Sequence, residues 1–368
     1  RALKTRPRAG CLRCHHSVFA PEGGIRGRLN GRSGRGFAGP IPLPAYRVAL
    51  RETDRHDTGT LLPPMNYGYH CLSIVAVALT AARAAMPPET TPVPPGVIAQ
   101  RDITYVDGGH ERQKLDLYLP KDARGPTPVI VWVHGGGWQA GSKANGLPLR
   151  LGLIARGYAI ASIGYRLTDA APFPAQIQDV KAAIRWLRAH AAEYRLAPER
   201  FVAWGSSAGG HLVAMLGTAG DFKAFDVGAN LKESSRVQAV IDFYGPSDLH
   251  RFVTTPGYES HGRPNSPESK LAGGIVAENL AKAAAASPVS YVDRNDAPFL
   301  ILHGAADPTV PVNQSETLHA ALLRAGVSSS LHILPGARHG GPEFTSPESL
   351  AGSDKFLAQH APSPGAAK

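Results

Sequence analysis

Cysteine is scarce, with three residues in a chain of 368. That is too few for a disulfide scaffold. No apolar run reaches the roughly 18 residues that a membrane helix needs. No repeat period is present, which excludes solenoid and propeller architectures. Charged residues make up only 18% of the chain and apolar residues 43%. A chain that apolar can bury a large core, so disorder throughout is excluded. The formal net charge of +10 suggests a nucleic-acid partner until its location is considered. Residues 1–64 hold 12 Lys/Arg against 4 Asp/Glu, and the remaining 304 residues hold 27 against 25. The basic surplus belongs to a tail, so charge gives no reason to expect nucleic-acid binding by the body.

Glycine and proline supply a quarter of residues 1–64, nine and seven respectively. Runs such as Gly31-Arg32-Ser33-Gly34-Arg35-Gly36 have no hydrophobic period, and this segment is expected to be disordered. Cys11-Leu12-Arg13-Cys14-His15 matches a haem-attachment pattern. It has no second ligand pair or packed context, so neither a haem nor a metal is expected there. The first Met is Met65. Cys71–Leu79 then has the length of a signal-peptide apolar region, and Ala82-Arg83-Ala84 has the small-x-small form of a cleavage site. Residues 65–84 are therefore read as a secretory signal, which implies a secreted or periplasmic product. The stretch Met65–His70 departs from the pattern in having no Lys or Arg. A signal that opens at residue 65 implies that residues 1–64 lie upstream of the true start. Residues 85–96 form a Pro-rich linker into the folded body.

From residue 97 to 361, short apolar runs alternate with helical patterns. Lys114–Leu119 alternates as a half-buried strand should. Val129–Val133 is continuously apolar, as expected for a central parallel strand. Tyr158–Ile163, Phe201–Trp204, Val237–Phe243, Phe299–His303 and Leu331–Leu334 read as strands too. Between them, Pro174–His190 carries Ile177, Val180, Ile184 and Leu187 at helical spacing, and Val312–Ala325 carries Leu318, Leu322 and Leu323. Strands alternating with helices predict an α/β fold with a mostly parallel sheet. In such sheets, ligands bind beyond the carboxyl ends of the strands.

Three strand ends carry unusual residues. Gly205-Ser206-Ser207-Ala208-Gly209 joins a strand to a helical run. Glycines flanking a sharp strand-to-helix turn let Ser207 project its hydroxyl, as a nucleophile requires. Taken alone, Ser207 could equally be a helix N-cap. His134-Gly135-Gly136-Gly137-Trp138 follows Val129–Val133, and three glycines there leave backbone N–H groups free to face a cavity. The run lacks the Gly-Lys-Ser/Thr ending of a phosphate-binding loop. His134 itself reads as structural. Asp307, in Leu302-His303-Gly304-Ala305-Ala306-Asp307-Pro308, follows a third strand and can orient an imidazole, with Asp248 as the reserve acid. Among 15 His, His339 stands in a loop just past a strand, whereas His211, His303, His319 and His332 fall within elements. The resulting order is Ser207, Asp307, His339.

With these stretches, together with Tyr165-Arg166-Leu167, Phe173-Pro174-Ala175-Gln176 and His339-Gly340-Gly341, the sequence resembles the α/β-hydrolase superfamily. Within it, the chain is most similar to the hormone-sensitive-lipase-like esterases with a His-Gly-Gly-Gly motif, and among those to the bifunctional feruloyl and acetyl-xylan esterases. The resemblance covers about 97–361. Many lipase-like esterases of this class have Asp before the nucleophile. Ser206 stands there instead, which points away from members with large caps. The resemblance implies a serine carboxylesterase acting on short acyl or small aromatic esters, including esters linked to polysaccharides. Ser207 would be the nucleophile, His339 the base and Asp307 its orienting acid. The N–H groups of Gly136, Gly137 and Ala208 would form the oxyanion hole. No metal, organic cofactor, nucleic-acid partner or stable membrane insertion is implied. Residues 246–290 read as a small lid that, with Trp138, Tyr165 and Val310, shapes the substrate pocket. An arylformamidase-like amidase would use the same triad. A non-catalytic binding module on this fold would usually have lost one of its three members. Deletion of residues 1–84 is expected to leave a soluble chain that is active in ester hydrolysis. An insoluble or inactive product would show that the cut enters the folded domain.

Overall fold

A computed structural model of the chain describes residues 92–145 and 147–363. The expectations for the tail 1–64, its Cys11–His15 motif, the signal at 65–84 and the first part of the linker lie outside the described residues. The eight strands are β1 (Val97–Thr104), β2 (Lys114–Pro120), β3 (Thr127–Val133), β4 (Ala159–Ile163), β5 (Leu196–Ser206), β6 (Ala239–Phe243), β7 (Phe299–Gly304) and β8 (Ser329–Leu334). They form one sheet in the order β1-β2-β4-β3-β5-β6-β7-β8. β1 and β2 pair antiparallel, as do β2 and β4. All pairings from β4 through β8 are parallel. The helices are α1 (Leu147–Arg150), α2 (Ala175–Ala189), α3 (Ala208–Thr218), α4 (Leu249–Val253), α5 (Pro267–Ala272), α6 (Leu280–Ala285), α7 (Asn313–Arg324) and α8 (Pro347–His360).

The continuously apolar strands are buried on both faces, and the pleat divides their side chains between two cores. Val129, Val131 and Val133 of β3 enter one core with Phe201 and Ala203 of β5 and Phe299 and Ile301 of β7. Ile130, Trp132, Val202, Trp204, Leu300 and Leu302 enter the other. The first core is closed by α2 through Ile177, Val180, Ile184 and Leu187, by α3 through Leu212, Val213 and Leu216, and by α7 through Leu318 and Leu322. Leu357 of α8 packs into the second.

Three details depart from the sequence-based expectations. β2 is buried on both faces, because Asp116, its polar alternate, is held by Lys143 at 2.6 Å. β1 was not expected, since its side chains are largely exposed and it is held by pairing to β2. α8 was not expected either. It starts on Pro347, with the Ser346 hydroxyl accepting from the Ser349 N–H, an N-cap arrangement that fixes the helix start. Among the described residues, no helix is long and apolar enough to cross a membrane.

Residues 246–290 contain α4, α5 and α6 with short 3-10 turns. This insertion is packed down. Leu249, Leu271, Val276 and Ala283 are wholly buried and belong to the first core. The Phe173 N–H also donates to the Leu271 carbonyl at 2.9 Å, tying α5 to the entry of α2.

Candidate active site

Ser207 is the single residue between the end of β5 and the start of α3. Its φ of 56° and ψ of −123° lie in a region that costs a non-glycine residue about 1–3 kcal/mol. The surroundings enforce it: the Ser207 N–H donates to the Phe243 carbonyl at 2.8 Å, and its carbonyl accepts from the His211 N–H at 2.9 Å. The turn is tight enough that a Cβ on Gly209 would stand 2.1 Å from the Val133 carbonyl oxygen and 2.7 Å from that of His134. Only glycine fits that approach of α3 to the end of β3.

The structure brings the three predicted residues together. The Ser207 hydroxyl donates to His339 Nε2 at 2.9 Å, and His339 Nδ1–H donates to Asp307 Oδ2 at 2.7 Å. The His339 loop is carried to the end of β7 by the Ala306 N–H donating to the Ala337 carbonyl at 2.9 Å. The other Asp307 oxygen accepts from the Thr309 and Val310 N–H groups at 2.8 and 3.0 Å. Burial alone would raise the Asp307 carboxyl. Hydrogen bonds from His303, His339 and Val310 outweigh it and hold the group well below the usual carboxylate range. Asp248, the reserve acid, instead caps α4 by accepting from the Arg251 N–H.

The glycine loop after β3 borders the same space. Gly136 has a φ of +113°, and a Cβ there would meet the Ala140 carbonyl oxygen at 2.3 Å. Gln139 and Ala140 N–H groups close the turn onto the Gly136 carbonyl at 3.1 and 2.9 Å. Gly136, Gly137 and Ala208 all line a cavity of about 1050 Å³ that also takes in Ser207 and His339. Of the residues expected to shape the pocket, Trp138 and Val310 line it. Trp138 is otherwise buried, donating from Nε1 to His211 Nδ1 at 3.1 Å.

Tyr165 is a correction. It is wholly buried and does not reach the cavity. Its ring stacks on His134 at 4.4 Å and its hydroxyl donates to the His134 carbonyl at 2.9 Å. It supports the glycine loop from behind. His134 is structural as expected, with burial pushing its imidazole down to about 4. The next residue, Arg166, grips the buried Asp179 through Nε and Nη2. The Tyr165-Arg166-Leu167 stretch is therefore scaffolding.

Sequence reasoning missed several groups. Tyr244 packs on the His339 ring at 4.6 Å and lines the cavity. Its only sequence signal is its place at the end of β6, ahead of Gly245-Pro246. His303 was assigned a satisfied role inside a strand, yet it is part of the acid's surroundings. Its Nε2 donates to the Val310 carbonyl at 2.9 Å and lies 3.4 Å from Asp307 Oδ2, while the Ser315 hydroxyl donates to its Nδ1 at 2.7 Å. His261 and Glu268 of the insertion also line the cavity.

The chain has relatives among known proteins. Residues 115–322 match the BD-FAE family. Esterase LipQ of Mycobacterium tuberculosis is 35% identical over 242 residues, covering 65% of this chain and 56% of LipQ. The chain spans between about half and two thirds of the length of the curated esterases it matches. A solved structure described as a truncated form of a carbohydrate esterase from gut microbiota superposes with a TM-score of 0.65 at 30% identity, covering 72% of this chain and 96% of that one. A bifunctional GH43-CE protein of Bacteroides eggerthii gives a TM-score of 0.67 at 36% identity, covering 72% of this chain and 35% of that one.

Beneath the turn, Asp242 of β6 is wholly buried. Burial pushes its carboxyl up to about 7, offset only in part by the Gly245 N–H it accepts and by His303 nearby. Between about pH 4 and pH 7 the folded chain therefore keeps a proton that the unfolded chain has lost, so this group makes stability fall as pH rises. Asp242→Asn keeps an acceptor for Gly245. It is expected to be more stable than the parent at pH 8, with the difference shrinking toward pH 4. Urea midpoints at both pH values check this.

Proposed function

The chain belongs to the BD-FAE family, and from that premise we propose that it is a serine carboxylesterase working through Ser207, His339 and Asp307. The observation that carries this reading is the hydrogen-bonded run from Ser207 through His339 to Asp307, opening into a cavity walled by the glycine loop. As Ser207 Oγ attacks the ester carbonyl carbon, its proton passes to His339 Nε2. Asp307, held ionised, fixes the His339 tautomer and stabilises the imidazolium. The carbonyl oxygen becomes an oxyanion facing the N–H groups of Gly136, Gly137 and Ala208. Each such donor contributes roughly 3 kcal/mol in comparable acyl-transfer sites. Collapse breaks the bond to the alcohol, which leaves with the proton from His339. Water then attacks the acyl-enzyme, His339 takes its proton and returns it to Ser207, and the acid departs.

The substrates we propose are short-chain acyl or small aromatic esters, among them acetyl or feruloyl esters carried by polysaccharides. The likeness to a protein described as a carbohydrate esterase supports this, and so does the form of the insertion. Its helices are five or six residues long and provide no broad amphipathic flap for a lipid surface.

Ser207→Ala is expected to lower kcat by at least about 10³-fold while the chain stays folded. Ser206→Ala should retain substantial hydrolysis. Hydrolysis of p-nitrophenyl acetate by both variants decides between them, and exchanged outcomes would place the nucleophile one residue early. Across p-nitrophenyl esters, kcat/KM should be highest for short chains, about C2–C6. Efficient turnover of C12–C16 esters with interfacial activation would overturn that preference, and faster turnover of aryl formamides would favour the amidase.

A further inference from the structure

The insertion places two titratable side chains, His261 and Glu268, in the wall of the catalytic cavity. Glu268 lies in the first turn of α5 and is 3% exposed. Its Oε1 stands 3.0 Å from His261 Nδ1. Its Oε2 accepts no hydrogen bond from any described residue. The carboxylate is not needed to cap the helix, because the Ser266 hydroxyl already accepts from the Ser269 N–H. α5 is also seated on the oxyanion side of the cavity. A Cβ on Gly137 would come within 3.3 Å of Pro267, and Lys270 Nζ reaches Gln139 Oε1 at 3.0 Å. Around the pair the wall has an apolar part, Pro92, Pro94, Pro246, Pro267 and Val310, and the uncharged polar side chains of Ser142, Asn145 and Thr309 line the same cavity. A buried carboxylate oxygen without a donor is costly. Oε2 has almost no exposed surface, so a small turn of the side chain into the cavity lets a hydroxyl on a bound molecule relieve that cost. His261 packs against Phe252, the two rings tilted by 31° with centroids 4.7 Å apart, which holds the ring in place beside Glu268.

We propose that Glu268, positioned by His261, accepts a hydrogen bond from a hydroxyl group of the ester substrate and selects for substrates that carry one. This rests on the esterase reading and narrows it to hydroxylated esters. The hydroxyl can come from the alcohol side, as on a sugar, or from the acyl side, as on a phenolic acid. A site built around a hydroxyl rejects the analogue that lacks it more strongly than an apolar pocket rejects an extra group.

Two matched pairs of substrates test it. The first is a monoacetylated methyl xyloside with a free hydroxyl beside the ester, against the same ester with that hydroxyl methylated. The second is methyl ferulate against methyl dimethoxycinnamate. The parent enzyme should prefer the hydroxylated member of at least one pair by about tenfold or more in kcat/KM. The pair showing the preference identifies the side recognised. In Glu268→Gln and Glu268→Ala the ratio within that pair should fall toward one, whatever change the two substrates share. Hydrolysis by the parent with no preference in either pair would overturn the inference and leave the esterase reading standing. An equal loss on both members in the variants, with the ratio kept, would make Glu268 a structural support and overturn it too. No hydrolysis of any of the four esters by the parent would overturn both.

Discussion

The approach of α3 to the end of β3 is the constraint on which the rest of the site depends. With no side chain at Gly209, the backbone of α3 comes against the carbonyl oxygens of Val133 and His134. That contact joins the serine turn to the loop of glycines. It sets the distance between Ser207 and the N–H groups around it without relying on flexible side chains. Parallel pairing of β3 with β5, Val133 beside Gly205, delivers both turns to one edge of the sheet. The strained backbone of Ser207 persists because hydrogen bonds hold the residue on both sides.

Much of this was legible in the sequence because it is local. A continuously apolar run such as Val129–Val133 marks a strand buried on both faces, and the next few residues must then lie at its carboxyl end. Ser207 and Asp307 each follow such a run, and His339 follows the mixed, partly exposed edge strand β8, so their order along the chain and their place on the sheet follow together. What was not legible arises from contacts between distant segments. Tyr165 looks like a pocket residue from its position after β4, but the direction of its side chain is set by His134, 31 residues away. His303 reads as one more strand residue until Ser315 and Val310 fold back onto it. β1 is an exposed edge with little apolar signal of its own, and its pairing to β2 is what makes it a strand.

The insertion illustrates the same limit. Its sequence is broken by Gly and Pro and reads as irregular. Its helices are too short to be stable alone, and Leu249, Leu271 and Val276 hold them by entering the core. An irregular composition thus produces a fixed wall, which a cavity with defined polar groups requires.

That wall has one attachment with mechanical consequences. The Tyr258 hydroxyl donates to the backbone carbonyl of Asp307, so the insertion is fastened to the residue that orients the histidine. One hydrogen bond thus makes the lining of the cavity and the seat of the carboxylate parts of a single framework, so that a change in either is felt by the other.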